Sequence, residues 1–244
     1  MVMIRRTAWL GMLLLASPVV ALDQTTQVMA VRDGMDKAVL EGDGATLAQM
    51  AEQLESLDGD WAEYYQAYAA YRRSQVSGTK KKQVKAFLNR CIDTLTELVA
   101  RRPDLAEAHA LHSSCYGNSA QFYMLRAAAR GSAANKALQQ ALKLGSGNPR
   151  VLLQEAQSLT YRPALFGGDK EKAMERLKLA AEVFPDWQSP DPEAPVWGEE
   201  ETWLFIGRLH AEAGRTAEAR AALEKALSLA PDYEAAQLEL AELG

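Results

Sequence analysis

Along this 244-residue chain, small and large apolar positions recur with the three-and-four spacing of packed helices, not the alternation of strands. The clearest block is Trp203-x2-Ile206-Gly207-x2-His210 followed by Ala219-x3-Leu223-x2-Ala226-x4-Pro231. It predicts two antiparallel helices: small residues allow close approach, large ones fill the seam, and the proline ends the second helix. Upstream the same punctuation returns as Ala173-x3-Leu177-x2-Ala180-x4-Pro185. A helix from Pro149 to Tyr161 precedes it, started by Pro149 and broken by Arg162-Pro163 and Gly167-Gly168. Cys91-x3-Leu95-x2-Leu98-x4-Pro103 repeats the second half with Cys91 in the small slot, and Trp61-x2-Tyr64-Tyr65-x2-Tyr68 supplies its first half. Between these units the pattern degenerates into helices over about 104–116 and 133–144, separated by a long connection. Residues 25–40 and 45–57 form an N-terminal hairpin around Gly42-Asp43-Gly44, and 233–244 reads as a cap of the kind that repeat arrays need.

The block 199–232 resembles a tetratricopeptide repeat, W-x2-L-G-x2-Y then A-x3-F-x2-A and P, with Ile206, His210 and Leu223 as replacements that a seam can repack. The resemblance extends over most of residues 22–244 at lower quality. It implies an all-α fold in one domain, a right-handed superhelix of about five hairpins plus a C-terminal cap helix. It also implies a non-catalytic scaffold whose concave groove binds a protein segment or small ligand. Asn148-Pro149-Arg150-Val151 followed by Leu165-Phe166-Gly167-Gly168-Asp169-x2-Lys172-Ala173 looks like exported bacterial repeat proteins, some resembling the T components of TRAP transporters. That likeness implies an alternative, a solute-handling subunit with an enclosed pocket near Phe166 and Tyr116.

The first 21 residues read as a leader rather than as fold: Arg5 and Arg6 make a positive start, 8–16 is apolar, and Val19-Val20-Ala21 is a small-residue cleavage site. Cleavage is expected after Ala21, giving a periplasmic or secreted protein. The arginine pair resembles a twin-arginine signal only loosely. No later segment reaches the roughly 20 apolar residues of a spanning helix, so no stable membrane insertion is expected after cleavage. At 48% hydrophobic and 24% charged the chain can bury a sizeable core. Its net charge of −5, which loss of Arg5 and Arg6 takes to −7, argues against nucleic acid as partner, and Lys80 to Lys82 is too short a run to alter that.

Two cysteines in an exported chain invite a disulfide. With a turn at Arg102-Pro103, Cys91 lies about three helical turns before it and Cys115 a little over three after, so they can face each other. A bridge there is worth roughly 3 kcal/mol in the chain-entropy account. The alternative is two buried free thiols, because cysteine packs well as a small hydrophobe. His109, His112 and Cys115 opposite Cys91 resemble a zinc set on paper, but His109 and Cys115 are about 9 Å apart along a helix and about 120° around it. Packing or groove lining is the better reading, and neither metal nor cofactor is implied.

No G-x-S-x-G elbow, H-E-x-x-H or phosphate loop occurs, so hydrolase or metal chemistry has no motif to carry it. Glu199 to Glu201 fall in a first helical turn, where carboxylates complement the dipole. The irregular segments are the better candidates. Residues 117–131 offer Asn118, Tyr123 and Arg126 in an extended connection that can add a half-helix to the groove, and 161–169 offers Tyr161, Arg162 and Phe166 beside a double glycine. Residues 186–198 form a stiff, acidic, proline-rich loop flanked by Trp187 and Trp197, suited to a protein contact or to folding back. With Tyr68, His112 and Tyr116 from the helices, these make the candidate binding set, and Tyr64, Tyr65, Tyr68 and Tyr71 form a stripe expected to be seam more than ligand box.

Overall fold

The computed structural model describes residues 23–244, so the leader expected at 1–21 lies outside the described residues. Among the described residues there are eleven α-helices and no strand: α1 Gln24–Leu40, α2 Gly44–Leu54, α3 Asp60–Arg73, α4 Lys81–Arg101, α5 Ala106–Ser119, α6 Ala127–Gly145, α7 Pro149–Tyr161, α8 Lys170–Val183, α9 Glu199–Glu212, α10 Thr216–Leu229 and α11 Glu234–Glu242. Consecutive pairs form five antiparallel hairpins stacked into a helical-repeat superhelix, with α11 capping α10.

Local chemistry sets the helix boundaries. Asp23, Asp43, Asn148 and Asp169 each cap a helix by accepting from a first-turn backbone N–H. The small positions sit where the pattern places them: Ala173, Ala180, Ala219 and Ala226 are fully buried. A Cβ on Gly207 would come within 2.9 Å of Leu223, which is why α9 and α10 approach so closely. Cys91 and Cys115 are joined between α4 and α5 with Cα atoms 6.2 Å apart.

The degenerate unit is more regular than its sequence reads. Helix α5 runs through Gly117 to Ser119, and α6 begins at Ala127, so the connection shrinks to 120–126, two single turns of 3-10 helix. Ala127, Ala128 and Ala129 are strong helix formers that carry α6 past Gly131. In the N-terminal hairpin, α2 stops at Leu54, three residues short of the expected end.

Candidate functional site

The inner face of the superhelix is organised by α3. Trp61, Tyr64, Tyr65 and Tyr68 lie one and two turns apart and pack as one aromatic block, with Tyr64 and Tyr68 stacked at 6.3 Å between ring centres and Tyr65 edge-on to both. All of these tyrosines, and Tyr71, are buried.

Against this block lies the chain's own segment 187–198. Pro190, Pro192 and Pro195 keep it out of helix, and a turn at 191–194, closed by the Ala194 N–H on the Asp191 carbonyl, leaves the carbonyls that follow without helical partners. Inner-face donors take them. Arg32 donates to the carbonyls of Pro192 (2.7 Å) and Ala194 (3.1 Å), Tyr65 to that of Glu193 (2.7 Å), and Arg150 to that of Trp197 (3.3 Å). Trp61 adds a bond to the Asp191 carboxylate at 2.6 Å. Trp197 then stacks on Tyr68 at 5.2 Å, and Gly198, at φ +121, turns the chain into α9.

Beside Trp197 the second and fifth hairpins are locked together. Arg72 of α3 grips both oxygens of Glu201 on α9, with both side chains buried, and Gln157 of α7 donates to the same carboxylate at 3.2 Å. The Arg72 guanidinium also faces the rings of Tyr68 and Trp197 at about 5 Å. Close by, both oxygens of Asp36 are buried without a hydrogen-bond partner. Burial, and then the neighbouring Glu200 charge, pushes Asp36 up to about 8, against the opposing pull of Arg72 and Arg32. The crevice that remains between Tyr64, Glu107, Arg150, Gln154 and Trp197 leaves no room for a water molecule. Segment 187–198 therefore covers the aromatic block of α3 in this conformation.

The residues singled out in the sequence do not form one cluster. Tyr68 lies fully buried in the inner face. His112 is buried, 3.4 Å from the Thr96 hydroxyl and 4.7 Å from the half-buried Tyr116 ring, and burial pushes its imidazole down to about 4. Asn118 is exposed and donates to the Ser114 carbonyl. Tyr123 exchanges hydrogen bonds with Asn89 and is flanked by Arg130 and Lys85, whereas Arg126 points to solvent. Tyr161 and Phe166 are exposed, and Arg162 donates to the Ser158 hydroxyl. Residues 120–126 form two single turns of 3-10 helix, with Phe122 packed against the core and Tyr123 against Asn89 of α4.

Of the residues that build the inner face, Arg32 and Asp36 escaped the sequence reading, Arg150 entered it only within the Asn148-Pro149-Arg150-Val151 motif, and Glu201 only as a carboxylate complementing a helix dipole. The available signal was charged residues at seam positions of otherwise apolar helices. His109 contacts the Pro103 carbonyl, the cysteines are bonded to each other, and no cluster able to hold a metal ion occurs among the described residues.

Residues 200–243 match the tetratricopeptide repeat family. No curated protein matches the chain. Among solved structures, the HusA haemophore from Porphyromonas gingivalis is 26% identical with a TM-score of 0.60, over 78% of this chain and 92% of that one. A thermophilic tetratricopeptide-repeat protein of Thermus thermophilus, TTC0263, is 18% identical with a TM-score of 0.60, over 90% of this chain and 98% of its own; that likeness concerns the fold alone.

Proposed function

We propose that this tetratricopeptide-repeat protein is an exported, non-catalytic scaffold that recognises non-helical, proline-containing protein segments on its concave face. The repeat fold is that of a protein-interaction scaffold; the finer reading rests on one observation. The inner face holds segment 187–198 chiefly through main-chain carbonyls, by donors on α1, α3 and α7. Groups that read backbone accept other sequences of the same turned shape, and proline pre-pays part of the ordering cost of such a ligand. A partner segment would compete with the resident one. Export is supported by the leader at 1–21 and by the Cys91–Cys115 bridge, which suits an oxidising compartment.

The test frees the face. Residues 188–195 are replaced by a glycine–serine linker of equal length, and a fluorescent peptide of residues 187–198 is titrated while anisotropy is followed. The linker variant is expected to bind it roughly tenfold or more tighter than the parent, and adding Arg32→Leu should abolish the gain. A linker variant that is helical by circular dichroism yet ignores the peptide would remove this reading.

A second reading, small-ligand carriage, is favoured by the likeness to a haemophore, which spans 92% of that chain. It belongs to the same class as the solute-handling role that the T-component resemblance implies. Titration with haem tests it: a saturable shift of the Soret band supports carriage, and a spectrum equal to free haem excludes it.

A further inference from the structure

Two neighbouring connections project apolar side chains that fold back onto nothing. Met124 and Leu125, between α5 and α6, are 91% and 102% exposed; Leu165 and Phe166, between α7 and α8, are 88% and 69% exposed. Both connections are the turns inside adjacent antiparallel hairpins, α5 with α6 and α7 with α8, and so lie along one edge. Arg162 reaches Asn135 of α6, while Tyr123, next to Met124, is held on α4 by Asn89 and Lys85. Lys81 and Lys82, one helical turn before Lys85, share that edge.

The charge of the edge opposes that of the chain. Stretches 80–90, 120–130 and 162–172, which form the two connections and the start of α4, contain 10 of the 27 lysines and arginines and two of the 32 acidic residues, so this edge of an acidic protein is basic. Lys80, Lys81, Lys82, Arg126 and Lys172 are exposed and enter no ion pair among the described residues.

We propose that this edge docks the protein peripherally on a bilayer surface containing anionic phospholipid, with the four apolar tips entering the headgroup layer and the flanking cations over the phosphates. Clustered apolar tips ringed by cations suit a soft anionic surface, which accepts them at any spacing, whereas a protein receptor needs a pocket for each. A second copy would oppose cation to cation. Nucleic acid would reward the lysines but not the apolar tips. No described helix is long and apolar enough to cross a membrane, so the attachment is interfacial. The proposal does not depend on what the concave face binds.

The test is co-sedimentation of the purified protein, its leader cleaved as checked by mass, with vesicles of phosphatidylcholine alone or mixed with phosphatidylglycerol. Roughly tenfold or stronger partitioning onto the anionic vesicles is expected, weakening as salt rises. Leu125→Ser with Phe166→Ser, and separately Lys81→Glu with Lys82→Glu, should each lower binding about tenfold or more. Both pairs leave the melting temperature unchanged because the side chains are exposed, and Leu238→Ser, an exposed apolar residue on α11, leaves binding unchanged. Absent binding, equal binding to both vesicle types, or paired variants that bind like the parent would overturn the proposal. So would binding to soluble polyglutamate with none to vesicles, which would assign the edge to an acidic protein.

Discussion

Two buried titratable groups give the protein opposing responses to pH. Asp36, pushed up to about 8 by burial and Glu200, holds a proton that the unfolded chain releases near 3.9. Its contribution is full below that lower value and is lost as pH rises towards about 8. His112, pushed down to about 4 by burial and then by His109, contributes fully above an unfolded value of about 6.5 and loses that as pH falls. The two slopes oppose each other in the acidic range, and towards about pH 8 Asp36 acts without His112. Asp36→Asn is therefore expected to raise stability near pH 8, on the order of a few kcal/mol, and to do little near pH 5, where the carboxyl is already protonated. Thermal melts at the two pH values measure this, and an equal effect at both would contradict the buried, proton-holding Asp36. Asp36 went unread because a carboxylate on a helix passes for solvated, even at a seam position, until the surface that covers it is known.

At the scale of the element, the hairpin of α4 and α5 was legible by counting. Turns from Arg102-Pro103 put Cys91 and Cys115 level on antiparallel helices, and there they are bonded. The bridge closes a loop of sequence separation 24, so reduction is expected to cost about 3 kcal/mol and lower the melting temperature by roughly 6–12 °C. Calorimetry with and without reductant, beside Cys91→Ala with Cys115→Ala, measures it; two alkylatable thiols in unreduced protein would refute the bridge. The connection after α5 was less legible. Glycines at 117 and 131 suggested a long break, but neither is enough to end a helix whose neighbouring positions are favourable and packed. At 162–168 the glycines do have a conformational reason: Gly167 sits at φ +88, and a Cβ on Gly168 would lie 1.8 Å from the Arg162 carbonyl oxygen.

Across the whole molecule, closure depends on contacts between residues far apart in sequence. Arg72 and Glu201 are 129 positions apart, and each is buried on the other's account. Glu201→Leu leaves the Arg72 charge uncompensated and is expected to cost about 3–5 kcal/mol, whereas Arg72→Met with Glu201→Leu should recover most of it. Urea unfolding of the two singles and the double measures the coupling, and simple additivity would mean that the pair is not the lock described. The same closure explains why Trp197, on the loop read as suited to a protein contact or to folding back, lies against Tyr68.

Helix type, hairpin pairing and cysteine register were determined by the sequence alone, because they depend on local propensity and on spacings of three, four and seven residues that survive without knowledge of the partner surface. The tyrosine stripe was likewise readable as seam. Only the tertiary structure decided what fills the concave face, which carboxylates are buried, and which connections stand clear of the core. Those outcomes depend on the cumulative rotation of the stacked repeats, which brings α3 against α9 and the 187–198 segment. That rotation is a sum of small packing angles set by whole seams, and no short motif encodes it.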